Sequence, residues 1–212
     1  KITTSLLLVI MFLFADLALP QAIPEWKTVE LEDEITVQRT TSTFNVSKDS
    51  GIESGNPNSY YGSDETAGLG IGASGESRIL ISFNNSVPSG DMVNGATLFL
   101  TCGIDPAELD SISIYSARVK SNWDESNVTW NDRDTGATWD LPGADDTTDR
   151  SGWEPPFYGY DNNTFEINVT ALVQDAVINS RSTINILLAA VGSSYTCHMS
   201  ESTDTNSTPY LS

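Results

Sequence analysis

The chain has 212 residues, a length that suits one domain of ordinary size plus a leader and permits a real hydrophobic core. It carries 29 acidic against 10 basic residues, which gives a formal net charge of −19. Binding to phosphates or to an anionic membrane surface requires a basic face, so this charge argues against nucleic acid and against such membranes as partners.

The N-terminal residues have the pattern of an export signal. Lys1 stands shortly before the apolar run Leu6–Phe14, which is too short to span a bilayer comfortably. We predict a signal peptide over residues 1–22, a linker over 23–33 and one domain over 34–212, with an uncleaved anchor as the alternative to the signal peptide. Because the sequence starts without Met and stops at Pro209–Ser212, we also expect it to be truncated, with further extracellular modules beyond it.

Short runs of alternating apolar and polar residues follow, separated by turns rich in Gly, Pro, Asn and Ser. The predicted strands are Glu34–Arg39, Thr43–Val46, Ala67–Ile71, Arg78–Phe83, Ala96–Cys102, Ser111–Val119, Thr164–Val169, Thr183–Ala190, Tyr195–Ser200 and Tyr210–Leu211. One helix is predicted over Thr170–Ser180, with Thr170 as its N-cap. The pattern predicts an all-β chain, a jelly-roll-like antiparallel β-sandwich with one short helix.

Alternation within these strands also predicts the core. Ile79, Ile81 and Phe83 point to one face of their strand. The facing layer is expected to consist of Leu98, Leu100, Ile184, Ile186 and Leu188.

The segment Trp123–Asn131 combines two tryptophans seven residues apart with polar residues that do not suit an ordinary strand. Each ring can remove on the order of 200 Å² from water. We predict a loop that folds back under a sheet, with Trp123 and Trp130 as its buried plugs. A ligand platform is the alternative.

This segment resembles the signature of the DNRLRE family, also described as carbohydrate-binding module family 96. The same order of motifs continues along the chain, in Asn56–Gly62, Arg78–Phe83, Val87–Gly90, Ala96–Leu100, Val169–Gln174 and Pro209–Leu211. The resemblance covers about residues 34 to 212. Departures are Asp134 in place of a Pro, Tyr60 in place of an Asn, and an enlarged loop over residues 134–160.

If the chain is exported, its cysteines can form a disulfide and its Asn-x-Ser/Thr sequons can carry glycans. Cys102 and Cys197 are the only two cysteines, and an even count in a secreted chain favours a disulfide, with their motif-matched strands side by side. Candidate glycosylation sites are Asn45, Asn84, Asn127, Asn162, Asn168 and Asn206. A chain this rich in Asn, Ser and Thr also produces sequons by composition alone.

Enzymatic chemistry finds little support in the sequence. His198 is the single histidine, no serine stands in a nucleophile elbow, and a glycosidase carboxylate pair cannot be singled out among so many acids. We therefore predict no enzyme and no cofactor. One structural calcium site is considered, at the aspartates of the enlarged loop, Asp140, Asp145, Asp146 and Asp149.

The resemblance implies a non-catalytic, secreted or cell-surface module that binds polysaccharide or cell-surface glycan. A structural module without a small ligand is the alternative. Sugar rings stack on exposed aromatic faces, so the candidate platform lies in the enlarged loop, at Trp139, Trp153, Tyr158 and Tyr160. A satellite hydrophobic cluster that pins the loop is the competing interpretation of these rings.

Overall fold

The computed structural model describes residues 40–103, 113–156, 158–161, 163–192 and 194–212. The predicted signal peptide, the linker and the predicted strand Glu34–Arg39 lie outside the described residues. In the described part of the chain, no helix has the length and apolar character needed to cross a lipid bilayer.

Twelve strands and one helix form in the described residues. In chain order they are β1 Phe44–Glu53, β2 Thr66–Gly72, β3 Gly75–Asn84, β4 Thr97–Gly103, β5 Ser113–Arg118, β6 Asp132–Asp134, β7 Ala137–Thr138, β8 Tyr158–Asp161, β9 Thr164–Asn168, α1 Thr170–Ile178, β10 Thr183–Val191, β11 Tyr195–His198 and β12 Tyr210–Leu211. Every strand pair among them is antiparallel. The predicted all-β sandwich with one short helix is confirmed.

The strands form two layers that β1 and β2 connect. One layer has the order β5-β10-β3-β1, and the other contains β8-β9-β4 with β12 and β11 on the far side of β4. The start of β1 pairs with β12 and the rest pairs with β3, with a register shift between Val46 and Lys48. In the same way β2 pairs first with β11 and then with β3. A bulge bends a strand, which allows β1 to pass from one layer to the other.

The inner faces of the two layers enclose the main core. Ile81 of β3 lies opposite Ile186 of β10 within one layer, and Leu98 and Leu100 of β4 come from the other. Helix α1 packs against this core through Leu172, Val173, Ala176 and Val177, which form the face expected from their spacing. The expectation that β10 residues share a layer with Leu98 was wrong, because β10 pairs with β3.

Several boundaries differ from the sequence prediction. Strand β1 continues past Val46 to Glu53, through the polar run Lys48–Ser50, in which Asp49 and Ser50 are buried. Strands β6, β7 and β8 were not predicted, since runs of 3, 2 and 4 residues are too short to establish an alternation. Thr170 is the first residue of α1 rather than its N-cap, and its backbone N–H donates to Asn168 Oδ1 at 3.0 Å.

The two cysteines form the expected disulfide. Cys102 of β4 and Cys197 of β11 are directly opposite each other in an antiparallel pair, with their Cα atoms 3.9 Å apart. The bridge closes a sequence separation of 95 residues. Loop closure of this length stabilises a fold by about 4–5 kcal/mol in the chain-entropy account.

Replacing Ile81 by Ala should lower the free energy of unfolding by about 2–5 kcal/mol, because Ile81 is fully buried between the layers. Urea denaturation measures the change. Ile71→Ala is the matched control, since Ile71 is 54% exposed, and should change stability by less than about 1 kcal/mol. Equal effects of the two substitutions would contradict the assignment of the core.

Candidate functional site

The layer that contains β3 and β10 is buried on both faces. Leu80 of β3, Leu187 of β10 and Ile52 of β1 point away from the main core, yet all three have no exposed surface. The long segment between β5 and β8 covers them. The outer cluster, as we name it, consists of these three residues with Val119, Trp123, Val128, Trp139 and Ala144, and with Trp130 and Trp153 partly buried at its edge.

Local hydrogen bonds fold the Trp123–Asn131 segment into turns that aim its rings at the sheet. The carbonyl of Asp124 accepts from the N–H groups of Asn127 and Val128, at 3.2 and 2.8 Å. Farther on, the Thr129 hydroxyl accepts from the N–H of Asp132 at 2.9 Å. Trp123 is buried as predicted, whereas Trp130 is half-buried. The predicted burial is therefore confirmed for the Trp123 ring and holds in part for the Trp130 ring.

The candidate aromatic platform is not an exposed row of rings. Trp139 is only 3% exposed, and its indole N–H donates to the carbonyl of Thr129 at 3.0 Å. Trp153 is half-buried, with the Arg150 guanidinium 4.2 Å above its ring. Tyr160 is half-buried against Phe165, and the side chain of Tyr158 lies outside the described residues. The expectation of an exposed ring was wrong for Trp139, because its surface completes the outer cluster.

Arg78 fastens this loop to the sheet, and Arg150 stabilises the loop from within. Arg78 of β3 is buried and donates to the carbonyl of Gly143 at 2.7 Å, while its guanidinium lies 5.1 Å from the Trp130 ring. Asp145 accepts from both Arg78, at 3.4 Å, and Arg150, at 2.7 Å. Burial opposes ionisation of Asp145, but the hydrogen bond from Arg150 and the two positive charges outweigh it and lower its pKa.

The four aspartates considered for calcium organise the loop instead of converging on one point. Asp149 Oδ2 accepts from the N–H of Asp140 at 2.8 Å, and Asp146 Oδ1 accepts from the N–H of Thr148 at 2.8 Å. Asp140 accepts from the Thr148 hydroxyl, and Asp145 is engaged by the arginines. Within the described ranges, no three of them offer oxygens that lie within 4.8 Å of one another. As placed, the four aspartates do not converge, and an ion bound among them stays a prediction.

A polar groove of about 390 Å³ lies where the end of α1 and the start of β10 meet the end of β5. Its lining contains three basic residues, Arg118, Lys120 and Arg181, together with the amide side chains of Asn122, Asn179 and Asn185. The hydroxyls of Ser180, Ser182 and Thr183 complete the polar part. Sequence reasoning missed this groove, because its residues come from two segments, 118–122 and 172–185, that are about 50 residues apart in the chain.

One carboxylate holds the two arginines of the groove in place. Asp175 of α1 accepts from Arg118 Nε at 2.8 Å and from Arg181 Nε at 3.1 Å. Both arginines use only Nε in these contacts. Since a guanidinium has five N–H donors, each retains donors for a ligand. The Lys120 ammonium donates to the carbonyl of Thr147 at 2.6 Å, and since an ammonium has three donors, it too retains donors for a ligand.

The wall of the groove depends on an unusual helix end. The N–H of Arg181 donates to the carbonyl of Ala176 at 2.9 Å, and the N–H of Ser180 donates to that of Val177 at 3.0 Å. This pattern is the Schellman motif, whose C′ residue adopts a left-handed conformation that favours glycine. Ser180 occupies that position with φ of 50°. A residue with a Cβ is strained there, at the edge of the candidate site.

The sequons differ in accessibility. Asn45, Asn84, Asn168 and Asn206 are exposed, whereas Asn127 is half-buried and donates to Asp124 Oδ1 at 2.7 Å. Asn162 lies outside the described residues. Glycan attachment at these positions stays a prediction.

Substituting Trp139 by Ala should cost about 3–5 kcal/mol of unfolding free energy, because it empties the centre of the outer cluster. Thermal or urea denaturation measures this loss. The control is Leu141→Ala two residues along, where the side chain is 50% exposed and little stability should be lost. A Trp139→Ala chain as stable as the control would show that the ring is not part of the core.

Ser180→Gly should raise the free energy of unfolding by about 1 kcal/mol, because glycine adopts the left-handed conformation without steric cost. Ser182→Gly is the matched control, since Ser182 is not among the residues with positive φ and the substitution adds only chain entropy to the unfolded state. It should destabilise slightly. The conclusion about strain at Ser180 is refuted if both variants shift the melting temperature downward.

Comparison with known proteins assigns the chain to a family. The sequence model of carbohydrate-binding module family 96 matches residues 40–212, which include every described strand and the helix. No curated protein sequence matched the chain. The order of the motifs, the confirmed β-sandwich and the length of the match agree, and the chain belongs to carbohydrate-binding module family 96.

Proposed function

We propose that this chain is a non-catalytic module of a secreted or cell-surface protein, and that it binds polysaccharide or cell-surface glycan in the polar groove. The observation that carries the proposal is the concentration of Arg118, Lys120 and Arg181 in one groove of a chain with net charge −19. The family supplies the class of ligand. The volume of about 390 Å³ is in the range of small-ligand sites.

The groove chemistry favours a sugar that carries negative charge. Guanidinium and ammonium groups form charge-assisted hydrogen bonds with carboxylate and sulfate oxygens, and these are roughly twice as strong as neutral ones. Amides and hydroxyls on the same walls suit sugar hydroxyls. We therefore favour an acidic polysaccharide, with uronate or sulfated units, over a neutral one.

A binding role without catalysis is supported by the same lining. Glycoside hydrolysis requires two carboxyl groups that flank the bond. No Asp or Glu lines the groove in the described part of the chain, and Asp175 beside it is paired with two arginines. The proposed extracellular location is supported by the disulfide, since such bridges persist in oxidising compartments.

A structural module without a glycan ligand is the second candidate. The aromatic residues of the enlarged loop favour it, because they make structural contacts instead of forming an exposed platform. Trp139 is buried in the outer cluster, and Trp153 packs with Arg150. In this case the chain serves as a spacer among further domains of the same protein. The two candidates differ in whether the groove retains any polysaccharide.

The test is binding of the purified chain to an array of uronate-containing, sulfated and neutral polysaccharides, followed by titration calorimetry on the best ligand. Arg181→Gln and Lys120→Gln should each raise the dissociation constant about 10- to 100-fold, because each removes a charged donor. Higher salt should weaken binding by the wild-type chain.

Arg133→Gln is the charge-matched control, since Arg133 lies on β6 and does not line the groove. It should bind as the wild type does. Equal loss in all three variants would point to net charge rather than to the groove. Absence of binding to every polysaccharide would favour the structural candidate.

A further inference from the structure

Three carboxylates from distant parts of the chain meet at one place outside the groove. Asp49 lies in β1, Glu125 in the turn of the Trp123–Asn131 segment, and Glu201 in the turn after β11. Each offers an oxygen, and the three oxygens lie within 4.8 Å of one another. Within the described ranges, no other three Asp, Glu, His or Cys side chains come together in this way.

The backbone fixes two of these groups against each other. The N–H of Asp49 donates to Glu125 Oε1 at 2.7 Å, across a sequence separation of 76 residues. The N–H of Ser200 donates to Asp49 Oδ2 at 2.8 Å, which places the neighbouring Glu201 beside Asp49. Gly62 packs so tightly on this turn that an added Cβ would lie 2.0 Å from the Glu125 carbonyl oxygen. Packing therefore fixes the backbone at Glu125, and hydrogen bonds fix Asp49 between Glu125 and Ser200.

Asp49 carries an unpaired oxygen inside the fold. The residue is 1% exposed, and its Oδ1 has no hydrogen-bond donor in the part of the chain that the structure describes. A buried charged oxygen without a partner is costly, because burial removes the water that would otherwise solvate it. A cation bound at this oxygen would supply the missing partner and would also neutralise part of the charge.

In the described part of the chain, no cationic side chain pairs directly with the group. Within the described ranges, none of the three carboxylates forms a salt bridge. Lys48 is the nearby cation, but its ammonium donates to the Trp123 carbonyl and lies 4.1 Å from that ring's centroid. Burial raises the pKa of Asp49 to about 7, and the N–H of Ser200 lowers it less than burial and Glu201 raise it. Burial, with the charge of Glu201, also raises the pKa of Glu125.

We propose that Asp49, Glu125 and Glu201 bind a calcium ion. Calcium prefers oxygen ligands at about 2.3–2.6 Å in adaptable geometry, and oxygens around one such ion are at most about 5 Å apart. Magnesium demands a smaller, near-ideal octahedron, and zinc prefers nitrogen and sulfur ligands. Since Glu201 is exposed, water can complete the coordination sphere.

The ion cross-links three segments that are far apart in sequence. It ties β1 to the segment that carries Trp123, and both to the turn that leads into β12. The site is separate from the polar groove, since none of its residues lines the groove. Calcium would therefore act on stability, and its role does not depend on which glycan the groove binds.

The experiment is thermal unfolding of the full chain, stripped with EDTA and dialysed at neutral pH, against increasing CaCl₂. At about 100 times the dissociation constant, the melting temperature of the wild type should rise by about 5–10 °C. Asp49→Asn should abolish this rise, and Glu201→Gln should weaken calcium binding by at least about tenfold in calorimetry. Magnesium at the same concentration should produce a smaller shift.

In calcium the wild type should be more stable than Glu201→Gln, and without calcium this order should reverse. Glu201→Gln should then be at least as stable as the wild type, because the substitution removes repulsion between carboxylates. Because Glu201 is exposed, this variant should fold even if Asp49→Asn does not. Glu166→Gln on β9 is the matched control, being exposed and outside the cluster, and should respond to calcium as the wild type does.

Two outcomes would overturn the proposal. In the first, calcium leaves the wild-type melting temperature unchanged, which would mean that Asp49 and Glu201 share a proton instead of an ion. In the second, Glu201→Gln responds to calcium as strongly as Glu166→Gln does, which would mean that calcium binds to other surface acids.

Discussion

The fold depends on a sheet that is buried on both faces. Successive side chains of β3 point in opposite directions, so Ile79 and Ile81 enter the main core while Leu80 faces outward. An antiparallel sheet commonly leaves such a face to water. Here the segment between β5 and β8 covers it with Trp123 and Trp139. This segment, which includes the enlarged loop, is therefore a second layer of core, and its aromatic residues stabilise the sheet.

The scarcity of positive charge makes each basic side chain informative. The chain has 10 basic against 29 acidic residues, and four of its arginines share two aspartates. Arg78 and Arg150 hold the enlarged loop through Asp145. Arg118 and Arg181 share Asp175 at the groove and keep free donors. The first pair stabilises the loop, and the second pair lines the groove in which we propose that a glycan binds. Both pairs place two guanidiniums on one carboxylate.

Sites assembled from distant segments were beyond sequence reasoning. The groove joins the end of α1, the start of β10 and the end of β5, and nothing in any one segment marks it. The same holds for Asp49, which looked like one acid among many and is buried because β1 runs past Val46. Conversely, Trp139 was expected at the surface, since an insertion rich in aromatic residues has no alternation that reveals which rings face the sheet.

The sequence by itself determined the local features: alternating strands, the apolar face of α1, the motif order of the family and the pairing of its two cysteines. These follow from periodicity, composition and short-range chemistry, which act along the chain. Only the tertiary structure decided that β10 lies beside β3, that the enlarged loop forms a second core, and that Asp49, Glu125 and Glu201 meet. The reason is physical: burial and electrostatic environment depend on neighbours that are brought together by folding, and sequence distance does not encode them.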